Sequence, residues 1–438
     1  MEFSKDELDF FLRKYQEFLK IPSVSATGEG INEAASWLKE FMKELGINAE
    51  IVKTKGHPVV YGKADNGGNK TLLVYNHYDV QPVDPLNGWK YPPFSATISN
   101  GYIFARGASD NKGTLIARLL AFSKYKGKLN FNFVFEGEEE IGSINLGEFI
   151  ESRKEELSKS SAVIMEGAGL DTKERPMIVL GVKGLVYVQI TVKTGERDVH
   201  SSVAPVIKNP VWELIKILNE IYDGNKVKIK GFYDNVKITR EVEELLDKID
   251  LDVEEYKKSL GVYSLNFEDS KELVSALYLS PSCNIDGIIA GYVGQGSKTI
   301  APSHAMVKMD FRLVPDQNPK KIYEELERIV KSHNGEIIPM GLEKPVRTDL
   351  NTAVVKAMVS SANKAYSKDP IILPNAAGTQ PMGLFYDLGI REIVSAIGVG
   401  TPSSNAHAPN ENVKLENFYK AIEHSLYFYE DYESNNYM

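Results

Sequence analysis

Residues 71–79 read Thr-Leu-Leu-Val-Tyr-Asn-His-Tyr-Asp. A short, continuous apolar run that ends in polar residues predicts a strand buried on both faces, the kind found in parallel sheets covered by helices. The same grammar returns three times. Asn130–Phe135 (NFNFVF) runs into Glu136-Gly137-Glu138-Glu139-Glu140, Ala162–Met165 (AVIM) runs into Glu166, and a strand predicted at Glu392–Ile397 is followed shortly by Asn405-Ala406-His407. Between the first two strands a helix is predicted to open near Asp110, a residue suited to the N-cap. Leu115, Ile116, Leu119, Leu120 and Phe122 are spaced for its apolar face. Alternating strands and helices predict an α/β layer structure. In open α/β sheets ligands bind beyond the carboxyl ends of the strands, and each polar cluster falls at such an end.

Near residue 183 the pattern changes. Val186, Val188, Ile190 and Val192 alternate with Tyr187, Gln189, Thr191 and Lys193, which predicts a half-exposed antiparallel strand. A helix from Pro210, a charged helical stretch over Arg240–Leu260, strands at Ile285–Tyr292 and His304–Val314, a helix over Pro319–Ser332 and a strand at Glu336–Met340 follow. With a helical insertion near 223–280 set aside, the order is βαββαβ. The α/β character resumes near 350 and closes on a helix carrying Leu415, Phe418, Ile422 and Leu426. The predicted fold class is therefore α/β. A larger domain with a mixed, mainly parallel sheet (1–182 and 348–438) is interrupted by a smaller α+β domain (183–347).

The chain has 438 residues, 42% hydrophobic and 25% charged, within the range of globular proteins of about two or three domains. Its 51 Lys+Arg against 60 Asp+Glu give a net charge of −9, which argues against nucleic acid or an anionic membrane as partner. Cys283, the single cysteine, excludes an intrachain disulfide and any Cys-rich zinc site. No stretch reaches the roughly 18–20 apolar residues of a membrane helix. Residues 1–20 carry Asp6, Glu7 and Asp9 where a signal peptide would be basic, so an amphipathic surface helix and a cytoplasmic protein are expected.

Two histidines and at least three carboxylates thus converge on one sheet edge. Crowded carboxylates raise one another's pKa unless a cation neutralises them, and imidazole with carboxylate but no thiolate suits a catalytic zinc site. A metal pair needs a bridging carboxylate, a terminal imidazole on each ion and a metal-free base. His77 and His407 fit the terminal imidazoles, Asp110 the bridge, Glu139 and Glu166 the terminal carboxylates and Glu138 the base. Asp79, two residues from His77, is placed to orient its ring.

The strings HYDVQP (77–82), RGASDNKG (106–113), EGEEEIGS (136–143), DVHSS (198–202), DFRLVPDQNP (310–319) and NAHAPNE (405–411) resemble the dinuclear-zinc metallopeptidases and aminoacylases. That family includes carnosinases, glutamate carboxypeptidases and succinyl-diaminopimelate desuccinylase, and the motifs are nearest the carnosinase-like dipeptidases. The resemblance implies two Zn²⁺ per chain, with Co²⁺ or Mn²⁺ as substitutes. His77, Asp110 and Glu166 would hold one ion, Asp110, Glu139 and His407 the other, and Glu138 would activate water. It also implies a cis peptide at Asp110–Asn111. Residues 183–347 would form a lid and dimerisation domain. From it His200 would stabilise the oxyanion in the partner chain of a homodimer, and Arg312 would bind the substrate's carboxylate together with Gly378 and Thr379. The strand pattern supports Arg312 separately, because Val307, Met309, Phe311 and Leu313 form the apolar face and leave Arg312 on the polar one.

The function implied is hydrolysis of the amide bond of dipeptides, short peptides or N-acyl amino acids with a free C-terminal carboxylate. The rival readings are an N-succinyl- or N-acetyl-amino-acid deacylase, a dinuclear phosphoesterase and a non-catalytic zinc-binding protein. Against the last stands the intact Glu138–Glu139 pair, because decay of catalysis would spare ligands and lose the base.

Overall fold

The structure is a computed structural model and describes residues 3–234, 236–249 and 251–434. These form two compact units. The first holds the described residues up to Gly181 with Thr348–Leu373 and those from Leu384 on; the second holds Val182–Arg347 with Pro374–Gly383.

The first unit is built on an eight-stranded sheet in the order Asn48–Val52, Val59–Ala64, Asn130–Glu136, Thr71–His77, Ala162–Met165, Ile393–Ala396, Met177–Val179, Ile371–Leu373. The four strands from Asn130–Glu136 to Ile393–Ala396 run parallel, so their carboxyl ends lie at one edge. Leu72–Tyr75, Phe131–Phe135 and Ala162–Met165 are buried along their length, as the continuous apolar runs predict. Each fully buried aliphatic or aromatic side chain contributes about 1.5–3 kcal/mol. Arg118, buried in the helix Gly113–Lys124, fixes the strand ends. It donates to Tyr75 O, Asn76 Oδ1, Met165 O and Ala396 O at 2.6–3.0 Å, so its charge is met by four acceptors from three strands.

One local expectation fails. Asp110 does not cap the following helix, which begins at Gly113. It sits in a π-turn over Ala108–Lys112 with non-helical φ −127° and ψ 93°, and the Asp110–Asn111 peptide is cis. The side chain is turned to the sheet edge instead of to the helix N–H groups.

The second unit has a four-stranded antiparallel sheet in the order Ser282–Ala290, His304–Leu313, Gly184–Lys193, Glu336–Glu343. Together with helices Pro210–Ile221 and Pro319–Ser332 it follows the order βαββαβ. Both helices start on Asn-Pro. Asn209 and Asn318 cap free N–H groups while the proline occupies the first turn, where no donor is needed. Val186, Val188, Ile190 and Val192 pack with Val307, Met309, Phe311 and Leu313 against Leu214, Ile217, Leu326 and Ile329. Among its described residues the insertion forms three helices, Arg240–Leu246, Val253–Leu260 and Ser270–Leu279. Residues 374–383, which the sequence reading leaves with the larger domain, join this unit because Val182 bridges Ala376 and Lys183 N–H donates to Gly378 O.

At the N-terminus, Ser4 and Glu7 form a capping box for the helix Lys5–Leu19, whose Phe11, Tyr15, Phe18 and Leu19 are buried. Among the described residues no helix is long and apolar enough to cross a membrane.

Candidate metal centre

His77 ends its strand and Glu166 follows the end of the next, so the parallel register brings them to one place. His77 Nε2 lies 3.0 Å from Asp110 Oδ1 and 3.2 Å from Glu166 Oε2. On the other side, His407 Nε2 lies 3.0 Å from Asp110 Oδ2 and 3.2 Å from Glu140 Oε2. Asp110 therefore stands between two imidazoles and offers one oxygen to each.

The chemistry of this donor set calls for cations. His77 Nδ1 is 3.1 Å from the carbonyl of Asp79, so this nitrogen carries the proton and the Nε2 lone pair faces two carboxylate oxygens. An acceptor facing acceptors is stable only with a proton or a metal between them. Burial pulls the His77 pKa down, but Glu166, Asp110 and Asp79 together hold it well above 6.5. His407 is pushed up to about 10 by Asp110 and Glu140. Burial works against ionisation of Asp110, yet His407 and His77 keep its carboxyl low. Glu140 Oε1 is buried without a hydrogen-bond donor among the described residues. Two groups, His77–Glu139–Glu140 and Asp110–Glu140–His407, each bring their ligand atoms within 4.8 Å. These residues fit two divalent ions.

The Glu138 carboxylate lies apart from this cluster. It accepts the N–H of His57 (2.9 Å) and of Asn145 (3.0 Å) and the Asn145 amide (2.9 Å), which turns it away from the imidazoles. The single 3₁₀ turn Glu139–Ile141 instead aims the next two side chains inward. Asp79 holds that turn, its two oxygens accepting the N–H groups of Glu139 and Glu140 at 3.2 and 3.1 Å. Glu140 makes the contact with His407, and Gln81 Nε2 donates to the same oxygen at 2.8 Å. Glu139 brings an oxygen within 4.8 Å of a His77 ring nitrogen; burial, with Glu140, Asp110 and Asp79 nearby, outweighs the opposing pull of His77 and pushes it up to about 7.

Glu411, at the end of NAHAPNE, proves to be the anchor of the Asp110 turn. Fully buried, it accepts the N–H groups of Gly107, Ser109 and Asp110 at 2.8–3.0 Å and the Arg106 guanidinium at 2.8 Å. Its sequence signal was membership of that string; its partners lie some 300 residues away.

The remaining candidates lie in the second unit. Arg312 Nη1 donates to Thr379 Oγ1 at 2.8 Å and Nε to Asp310 at 3.1 Å, so Arg312 and Thr379 meet. Gly378 is next to this contact, with its carbonyl bound to Lys183 N–H. His200 is exposed at the end of the strand Val199–His200. Its Nδ1 accepts the Ser202 N–H at 3.1 Å, which leaves Nε2 to carry the proton.

The profile of peptidase family M20/M25/M40 matches residues 73–431. The chain is 29% identical to a Cys-Gly metallodipeptidase of Schizosaccharomyces pombe, over 94% of each chain. It is 28% identical to the Beta-Ala-His dipeptidase of Rattus norvegicus, over 82% of this chain and 77% of that one. Among solved structures it superposes on an M20 family metallo-carboxypeptidase from Sulfolobus solfataricus with a TM-score of 0.91 and 53% identity, covering 99% and 100% of the two chains. Human carnosine dipeptidase 1 shares the fold, with a TM-score of 0.75 at 24% identity over 98% and 97% of the chains. All the clustered residues, from His77 to Glu411, fall inside the matched span, and the chain belongs to peptidase family M20/M25/M40.

Proposed function

We propose that this metallopeptidase is a two-metal dipeptidase or carboxypeptidase that hydrolyses the amide bond of short peptides bearing a free C-terminal carboxylate. The observation that carries the reading is Asp110, whose two oxygens each face one imidazole, with the half-buried Glu139 near His77. His77, Asp110 and Glu166 would hold one ion and Asp110, Glu140 and His407 the other. The nitrogen and oxygen donors, with no thiolate, suit Zn²⁺ and admit Co²⁺ or Mn²⁺. Ions bound there polarise a carbonyl and acidify a water.

The chain's own groups do the rest. Glu139 takes the proton of the attacking water at its carboxylate and returns it to the departing amine nitrogen. Asp79 keeps the His77 ring and the Glu139–Glu140 turn in register. His200, with its proton on Nε2, donates to the developing oxyanion from the partner chain of a homodimer. The exposed edge strand bearing Ile285, Ile288 and Ile289, with Trp212 and Ile215 exposed on the helix Pro210–Ile221, supports such an assembly, because an apolar edge left open invites pairing. Arg312 and Thr379 present donors to the substrate's carboxylate, beside Gly378. The names of the relatives, two dipeptidases and a carboxypeptidase, favour peptides over N-acyl amino acids.

A substrate panel tests this. Turnover of dipeptides that is lost with a chelator and restored by Zn²⁺, Co²⁺ or Mn²⁺ supports the reading. Turnover confined to N-succinyl or N-acetyl amino acids, or to phosphate esters, overturns it.

A further inference from the structure

The second unit holds an ammonium that the chemistry above does not use. Lys183 is only 4% exposed. Its Nζ donates to Ser280 O at 2.7 Å and Ala276 O at 3.3 Å, carbonyls at the C-terminal end of the helix Ser270–Leu279. Its backbone N–H donates to Gly378 O at 3.2 Å. From the loop that carries Gly378, Asn375 Nδ2 reaches the same helix end, donating to Tyr278 O at 2.8 Å. Four residues beyond Asn375 on the same loop, Thr379 accepts from Arg312. The connections thus run from the helix end through Lys183 and Asn375 to the Pro374–Gly383 loop, and from the loop to the guanidinium.

Burying an ammonium costs several kcal/mol before compensation. The carbonyl end of a helix offsets part of this, yet a neutral side chain would fill the space without the cost. Arg312 is near enough to depress the Lys183 ammonium, which burial in the main brings down to about 8. A buried cation kept beside the partly exposed Arg312 is useful where an anion binds.

We propose that Lys183 is a positioning residue of the substrate-carboxylate site. It locks the Ser270–Leu279 helix end to the Pro374–Gly383 loop, so that Thr379 and Arg312 meet the C-terminal carboxylate in one fixed arrangement. The inference rests on the reading of Arg312 as the carboxylate anchor. It gives the helical insertion a task in substrate binding.

The test uses the metal-loaded full chain, with kcat and KM measured on a dipeptide and on its C-terminal amide. Lys183→Met should raise KM for the dipeptide about tenfold with kcat within about twofold, because only ground-state and transition-state binding in common is lost. Lys183→Arg should restore most of the affinity. Asn375→Ala, which cuts the second tie, should raise KM in the same direction, and it carries the test if Lys183→Met does not fold. KM for the amide should not move in any of these variants. An unchanged dipeptide KM in Lys183→Met or, where that variant does not fold, in Asn375→Ala overturns the proposal, as does an equal loss on the amide. Arg312→Met separates the two levels: if it raises KM while Lys183→Met does not, the anchor stands and Lys183 is a structural tie only. If Arg312→Met leaves KM unchanged, the anchor reading itself falls and the proposal with it.

Discussion

Asp110 Oδ1 lies 3.0 Å from His77 Nε2 and Asp110 Oδ2 lies 3.0 Å from His407 Nε2. One carboxylate thus joins residues that enter from distant parts of the chain, and both candidate metal positions depend on it. Asp110→Ala should lower bound metal from about two ions per chain to less than one and reduce kcat by at least about a thousandfold. Elemental analysis beside the peptidase assay checks this. Full metal content in the variant would remove Asp110 from the bridge.

Glu411 holds that bridge from behind. Glu411→Ala leaves the Arg106 guanidinium buried without its carboxylate and frees three N–H groups of the Asp110 turn. Breaking a buried pair of this kind costs about 3–5 kcal/mol, and displacement of Asp110 should weaken metal binding as well. Denaturant unfolding and a metal-competition titration read the two effects. A stability loss without any change in metal affinity would restrict Glu411 to the fold.

Metal removal should matter more as pH rises. The Glu139 carboxyl is pushed up to about 7 and His407 up to about 10, so the metal-free folded chain binds more protons than the unfolded chain above the ordinary pKa of each group. Stability from such groups is complete below the unfolded pKa and is lost as pH climbs through the folded one. Metal replaces those protons and its binding releases them. The Tm difference between metal-loaded and chelator-treated protein should therefore widen from pH 5.5 to pH 8; a narrowing gap would contradict the assignment.

Much of this centre can be read from the sequence, because buried parallel strands betray themselves as apolar runs and their ends then fix where His77, Glu166 and the 136–140 segment must emerge. The order within Glu138-Glu139-Glu140 cannot be read the same way. Three adjacent glutamates are chemically alike, and only the 3₁₀ turn, with Asp79 accepting two of its N–H groups, decides which two face the imidazoles. Asp110 misled for a related reason. An aspartate ahead of an apolar helical pattern suits an N-cap, yet Glu411 takes up the N–H groups around it from 300 residues away. Long-range partners of this sort leave no local pattern.

A homodimer through the second unit would bury its open sheet edge. Ile288 and Ile289 are 52% and 60% exposed on an edge strand and Trp212 is 65% exposed. Charged residues on an open edge oppose pairing, so Ile289→Lys with Trp212→Glu should convert a dimer into monomers in sedimentation velocity. If His200 serves the partner chain, turnover should fall with dissociation. An active monomer would place the oxyanion donor elsewhere.

In the proposed reaction Glu139 is the base and Glu138 serves the fold. Glu138→Gln and Glu139→Gln, both assayed with metal content determined, separate the two roles. Glu139→Gln should keep about two ions per chain and lose about 10²–10⁴-fold in kcat, the range of a positioned general base. Glu138→Gln should stay within about tenfold of the wild type, because it loses only hydrogen bonds to His57 and Asn145. The reverse pattern, an inactive metal-loaded Glu138→Gln and an active Glu139→Gln, would make Glu138 the base.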